Sequence, residues 1–198
     1  MLPLSRVECP ILRKKIMSAE EAVSFIKDQQ TIGMSGFTGA GYPKSIPASL
    51  AEKAKALHSR GQPFKINLWT GASTAPELDG VLAAVDGINM RLPYQSDPVC
   101  RQQINDGIMD YVDIHLSEVS QYAWSGFLGK MDVAVIEVAG ILAGGRIVPS
   151  SSVGNNKTWV EQADKVILEV NIQQNMKLEG MHDIYYGTAL PPHRKPID

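Results

Sequence analysis

Apolar and polar positions along the chain alternate between two kinds of segment. Short apolar runs end in glycine or proline, and stretches with apolar residues three and four apart follow them. The runs at 31–35, 65–70 (KINLWT), 88–92 and 111–116 predict strands. Those at 132–138 (DVAVIEV) and 166–170 are almost continuously apolar, the pattern of strands buried on both faces of a parallel sheet. A short strand at Ile147-Val148 falls between them. Helices are predicted over 19–26, 45–60, 77–85, 98–106, 121–128 and 156–163. Ser18 and Glu21 form a capping box for the first. In the second, Leu50, Ala54 and Leu57 share a face, Pro47 suits the first turn and Gly61 the stop. Gly107 stops the helix over 98–106.

Strands alternating with helices predict an α/β fold: a mostly parallel sheet with helices on both faces. Right-handed crossovers then gather the strand-to-helix loops on one edge, where such sheets bind ligands. The pattern fills 1–185 as one domain. The tail 186–198, rich in Pro, His, Arg and Lys, has no periodicity and reads as a linker or arm.

Charge and composition remove several classes of function. The net charge of −2 makes no electrostatic case for nucleic acid or an anionic membrane. No run approaches the ~18 apolar residues of a membrane helix, and the first fifteen residues lack the apolar core of a signal peptide. The expected compartment is the cytoplasm, or the mitochondrial matrix in a eukaryote. Cys9 and Cys100 lie in no metal-binding spacing and fit a reducing compartment. His58, His115, His182 and His193 sit in no HExxH pattern, and no G-x-S-x-G elbow occurs, so no metal and no hydrolase-type serine are expected.

Four loops could carry chemistry. Gly36, Phe37, Thr38, Gly39, Ala40, Gly41 and Lys44 lie in a glycine-rich strand-to-helix turn. Glycines bring backbone N–H groups close to a ligand, and a helix start behind them can receive an anion or an acyl oxygen. The spacing G-x-x-G-x-G is not the dinucleotide order, which leaves a nucleotide-binding domain as the weakest reading. Ser73 and Thr74 follow the second strand, and Gln95 and Ser96 the third. Their neutral hydrogen-bonding groups could hold a small carboxylate. Helix capping, by Ser96 or Asp97 before Pro98 and by Ser73 or Thr74 before Glu77, is the other reading. The fourth loop, 150–157, offers Asn155, which could equally be an N-cap. Glu137 and Glu169 lie in the most apolar strands, where a buried carboxylate needs a partner, and a structural hydrogen bond is the preferred role for each.

Taken in order, GFTGAGYPK (36–44), GASTAPELDG (71–80), RLPYQSD (91–97), YVDIHLS (111–117), GFLGKMDVAVIE (126–137), PSSSVGN (149–155), ADKVILEVN (163–171) and LEGMHDI (178–184) resemble the N-terminal domain of the acetyl-CoA hydrolase/transferase family. Within it the likeness runs to succinyl-CoA:acetate CoA-transferases. The resemblance implies exchange of CoA between an acyl-CoA and a small carboxylate such as acetate, through a glutamyl-CoA thioester. CoA would then be a substrate and no cofactor would be needed. It places the nucleophilic glutamate in a C-terminal domain beyond 186–198, so no catalytic residue is assigned here. The 36–44 loop, Ser73 and Ser96 would face that glutamate, the two serines holding the carboxylate. Acetyl-CoA hydrolysis is the rival activity. A non-catalytic binding domain, or a fragment inactive alone, is a third reading. An uncovered apolar face and assembly with further copies of the chain are expected.

Overall fold

The computed structural model describes residues 4–34, 36–73 and 75–185. Seven strands among them form one sheet: β1 (Thr31–Met34), β2 (Ile66–Ser73), β3 (Ile88–Gln95), β4 (Asp110–Tyr111), β5 (Met131–Ile141), β6 (Ile147–Pro149) and β7 (Ala163–Val170). The helices are α1 (Pro10–Arg13), α2 (Ala19–Ala22), α3 (Ser45–His58), α4 (Val81–Ala83), α5 (Pro98–Asn105), α6 (Leu116–Trp124) and α7 (Asn156–Gln162). Strands β4-β3-β2-β1-β5 run parallel in that spatial order. β7 flanks β5 on its other edge, also parallel, because Val133 of β5 pairs with both Ile32 and Lys165. Among the described strands only β6 is antiparallel, closing on the end of β5 through Gly140↔Val148.

The sheet separates two cores. On one face Ile32, Leu68, Val133 and Val135 meet Leu50 and Ala54 of α3, Leu82 of α4 and Cys100 of α5. On the other Trp69, Leu92, Ala134 and Ile136 meet Val119 and Ala123 of α6 and Trp159 of α7. Apart from Asp132 and Glu137, β5 is apolar because successive side chains feed opposite cores. Trp69 and Trp159 pack with ring centroids 6.0 Å apart. Gly33 permits this, since a Cβ there would lie 2.9 Å from Trp159 Cγ.

The sheet and its two helical layers match the sequence expectation, and four local differences have physical causes. The strand expected over 111–116 shortens to β4, and His115 occupies the position preceding α6. Val112, Ile114 and Leu116 pack onto the α6 core instead, so their alternation reflects packing and not pairing. The following helix is therefore α6 and ends at Trp124, ahead of Gly126 at φ 75°. The helix over 19–26 splits into α2 and a 3-10 turn, Val23–Phe25, and that over 77–85 opens with a π turn, Pro76–Gly80. β7 is not buried on both faces: Val166 is 40% exposed. A groove of about 710 Å³ leaves one side of β7 uncovered, between it and residues that include Ile16, Met17 and Phe25. The expected linker at 186–198 and His193 lie outside the described residues.

Local signals held where a side chain satisfies a helix end. Ser18 and Glu21 make both bonds of the capping box, at 3.1 and 2.8 Å. Asp97 accepts from the N–H groups of Val99 and Cys100 and so caps α5. The start of α3 is capped from far away in sequence. Glu169, at the end of β7, accepts from the N–H groups of Lys44, Ser45 and Ile46 at 2.8, 3.0 and 2.9 Å. A carboxylate on three N-terminal donors is favoured by hydrogen bonding and by the helix dipole together. Glu169→Ala should therefore cost about 1–2 kcal/mol of unfolding free energy, read as a lowered urea midpoint.

Candidate functional site

The C-terminal ends of β1, β2 and β3 meet at one rim, and the loops that leave them lie side by side. The turn after β1 is a two-residue hairpin. Phe37 N–H donates to Ala40 O at 2.9 Å, and Ala40 N–H returns to Phe37 O at 3.1 Å. Thr38, between them, has φ 52°, a left-handed conformation that is strained for a β-branched residue. It is held there from two sides. Thr38 N–H donates to Ala72 O at 2.8 Å, and Thr38 pairs with Ser73 as a parallel bridge. Ser73 in turn pairs with Gln95 of β3. Thr38, Ser73 and Gln95 thus form one row across three chain segments. Gly39 stands at the exposed tip, where nothing lies within 4 Å of the position a Cβ would take.

The fourth loop closes on this turn from the side. Ser152 Oγ accepts from Phe37 N–H at 2.9 Å and donates to Ala40 O at 2.7 Å. Gly41, at φ 65°, lets Ser152 approach, since a Cβ would meet Ser152 Oγ at 2.5 Å. Gly36 has the same constraint, with Ala40 O 2.4 Å from its would-be Cβ. Ser152 is therefore a clamp on the turn, which the reading of the sequence passed over in favour of Asn155. Asn155 takes the position preceding α7 without capping it by its side chain. Its Nδ2 donates to Thr70 O at 3.3 Å and its Oδ1 accepts from Ser120 Oγ at 3.2 Å, which ties the loop to β2 and α6.

Under the turn lies a charged network. Lys44 Nζ donates to Glu137 Oε2 and to Tyr42 O, both at 2.7 Å, and sits 4.1 Å from the Tyr42 ring centroid. Glu137, fully buried in β5, also accepts from Ser150 Oγ, and from Asn171 Nδ2 at 3.2 Å. Both strand carboxylates thus have the structural role preferred for them. The α3 N-terminus is closed to a ligand anion, because Glu169 already occupies its donors. The sequence expectation that the start of this helix could receive an anion is therefore not met, and the donors left at this rim are those of the Gly39 turn and of the loops after β2 and β3.

The remaining expected residues sit as follows. Ser73 is buried, and its Oγ accepts from Ala75 N–H at 3.4 Å, an end-of-strand turn that makes it part cap and part rim. Thr74 lies outside the described residues. Gln95 Oε1 is buried with no hydrogen-bond partner among the described residues. Ser96 is half-buried beside it. Arg91 and Asp79, which the sequence did not single out, form a fully buried pair behind this end of β3. Arg91 also donates to Leu92 O, and to Tyr94 O at 3.0 Å, so it fixes the backbone from which Gln95 and Ser96 project.

Burial pushes the Tyr42 hydroxyl up to about 12, helped by its hydrogen bond to Glu77. Burial likewise raises the Cys100 thiol to about 12, with Asp79 and Asp97 adding to it. Both groups are neutral when folded and ionise earlier when unfolded, near 10.0 and 9.0. Their contribution is complete below pH 9 and is lost as pH rises toward 12, since the folded chain then holds protons the unfolded chain has released. The urea midpoint should fall between pH 9 and pH 11.5, and Tyr42→Phe combined with Cys100→Ala should flatten that fall.

The rim, with its strained Thr38 turn and neutral hydrogen-bonding side chains at the C-terminal edge of a mostly parallel sheet, is that of an α/β domain. The chain belongs to the acetyl-CoA hydrolase/transferase family, whose N-terminal domain profile matches residues 9–189. It is 43% identical over 186 residues to the succinyl-CoA:acetate CoA-transferase of Clostridium kluyveri, covering 94% of this chain and 34% of that one. It is 36% identical over 198 residues to the acetyl-CoA hydrolase of Neurospora crassa, covering 97% of this chain and 37% of that one. The chain thus spans about a third of the length of these curated relatives. The fold is shared with an acyl-CoA transferase from Escherichia coli O157:H7, solved as a thioester complex with CoA, at TM-score 0.57 and 13% identity over 81% of this chain and 44% of that one. RipA from Yersinia pestis aligns at TM-score 0.59 and 21% identity, over 78% of this chain and 36% of RipA. No helix among the described residues is long and apolar enough to cross a membrane.

Proposed function

We propose that this chain is the N-terminal domain of an enzyme that moves CoA from an acyl-CoA to a small carboxylate such as acetate, through a glutamyl-CoA thioester. CoA is a substrate in this reading and no cofactor takes part. The glutamate belongs to a further domain joined beyond the described residues, which this rim faces, and copies of the enzyme assemble. The observation that carries the reading is the row Thr38–Ser73–Gln95, which sets the Gly39 turn next to Ser73 and Ser96. In this reading the Gly39 N–H, at the exposed tip of the turn, donates to the thioester oxygen as negative charge develops on it. Ser73 and Ser96 would orient the acceptor carboxylate with neutral donors, which hold it without quenching its nucleophilicity in a tight ion pair.

Acetyl-CoA hydrolysis is a second reading, favoured by the name of the Neurospora crassa relative. In the full-length enzyme, turnover of acetyl-CoA measured with and without acetate or succinate separates the two. Transfer requires the acceptor, and hydrolysis does not. Ser73→Ala and Ser96→Ala should each raise the KM for the acceptor several-fold and leave the KM for acyl-CoA near its original value. Unchanged acceptor KM in both variants would remove the carboxylate site.

A further inference from the structure

The turn after β1 is strained where no packing demands it. Its two central residues are Thr38 and Gly39, and the left-handed φ falls on the threonine and not on the glycine. Glycine would take that conformation without strain, yet it stands one residue too late. Phe37, Thr38 and Gly39 are all exposed, so the core does not impose the shape. An outlier of this kind persists only where surrounding contacts over-determine it, and such outliers gather at functional sites. Here the contacts come from the fourth loop as well as from β2. The Ser152 hydroxyl bridges the mouth of the turn: it accepts from Phe37 N–H and donates to Ala40 O, two groups that also bond each other.

Ser152 is itself held. Ser150, two residues before it, is fully buried, and its hydroxyl donates to Glu137 of β5. His182 Nε2 lies 2.7 Å from Ser150 O, across 32 residues of chain. A carbonyl only accepts, so this nitrogen carries the proton and donates. A continuous path thus runs from β5 and His182 through the 150–152 backbone to the turn. Resting on the CoA-transfer reading above, we infer that Ser152 is a positioning residue for that reaction, braced by His182. It holds the 37–40 turn in the conformation that brings the Gly39 N–H to the thioester oxygen. Ser73 and Ser96 keep the acceptor carboxylate, so the effect of Ser152 falls on the chemical step and not on acceptor binding.

The test is made in the full-length enzyme, with amide hydrogen exchange read on the peptide spanning 36–44 and turnover of acetyl-CoA read with and without acetate or succinate. Ser152→Ala should speed exchange in that peptide and lower kcat about tenfold, less than the roughly hundredfold expected for deleting an oxyanion donor outright. KM for both substrates should stay within about twofold, because an interaction made only in the transition state lowers kcat and kcat/KM together. Ser152→Thr, which keeps a hydroxyl, should restore both exchange and kcat. His182→Ala should reproduce part of each change, and His182→Gln, whose amide nitrogen replaces Nε2, should reverse them. A serine that only stabilises the fold would lower the urea midpoint and leave the kcat of the folded enzyme as it was. Wild-type kcat in Ser152→Ala, whether or not exchange quickens, would overturn the inference while the CoA-transfer reading stands. So would a Ser152→Thr variant that regains slow exchange without regaining kcat. A wild-type enzyme that neither transfers nor hydrolyses acetyl-CoA would remove the reading instead, and the exchange measurement would still decide whether Ser152 holds the turn.

Discussion

Arg91→Met should lower the unfolding free energy by about 4 kcal/mol, the loss expected when one member of a buried ion pair is removed. Arg91 and Asp79 are both fully buried, and Arg91 Nε lies 3.0 Å from Asp79 Oδ1. The substitution leaves the Asp79 carboxylate among Leu78, Leu82 and Cys100 without its cation. It also strips Leu92 O and Tyr94 O of their side-chain donor. The pair is not inherently worth that much. Replacing both members, as in Arg91→Met with Asp79→Leu, should recover most of the loss, because desolvating two charges offsets most of their attraction. Urea denaturation of both single variants and the double variant tests this as a cycle. A double variant no more stable than Arg91→Met would show that the carbonyl contacts, and not the orphaned charge, dominate. The same substitution should weaken acyl-CoA binding, since it frees the backbone that carries Tyr94, Gln95 and Ser96.

How far this architecture can be read without coordinates depends on the range of each interaction. The parallel sheet was legible because β5 is apolar on both faces, and because Ser18, Asp97 and Pro47 mark helix starts within a few residues of their partners. The edge elements were not. In 111–116 a loop that packs against α6 mimics the alternation of a strand, and a period of two carries no information about pairing. β7 reads as doubly buried, yet burial depends on what covers it, and the groove beside it shows that one side is open. At the rim, the shared edge of Gly39, Ser73 and Ser96 followed from crossover handedness alone. The contacts that shape it did not. Ser152 meets Phe37 across 115 residues, and Glu169 meets the start of α3 across 125. Such pairs leave no local trace, because each residue type is ordinary in its own segment. Only the unusual Ser-rich loop pointed toward Ser152, without saying which serine would serve.

Lys44→Met should prove more damaging than Glu137→Gln, although both break the same salt bridge. The difference lies in which partner is left behind. The Lys44 side chain is 42% exposed and that of Glu137 is 1% exposed. In Glu137→Gln the ammonium turns to water, and the amide can still accept from Ser150 and Asn171, so the cost should be about 1 kcal/mol. In Lys44→Met the anion stays inside β5 with only a hydroxyl and an amide to hold it, and about 3 kcal/mol should be lost. Lys44 also anchors Tyr42 O, one residue beyond the Gly41 that receives Ser152. Losing it should therefore loosen the 36–41 turn as well, seen as faster amide exchange at Gly39 and Ala40. A Lys44→Met variant as stable as the wild type, with unchanged exchange in the turn, would mean that Glu137 is held by Ser150 and Asn171 alone. Lys44 would then be free to act on a ligand at the rim.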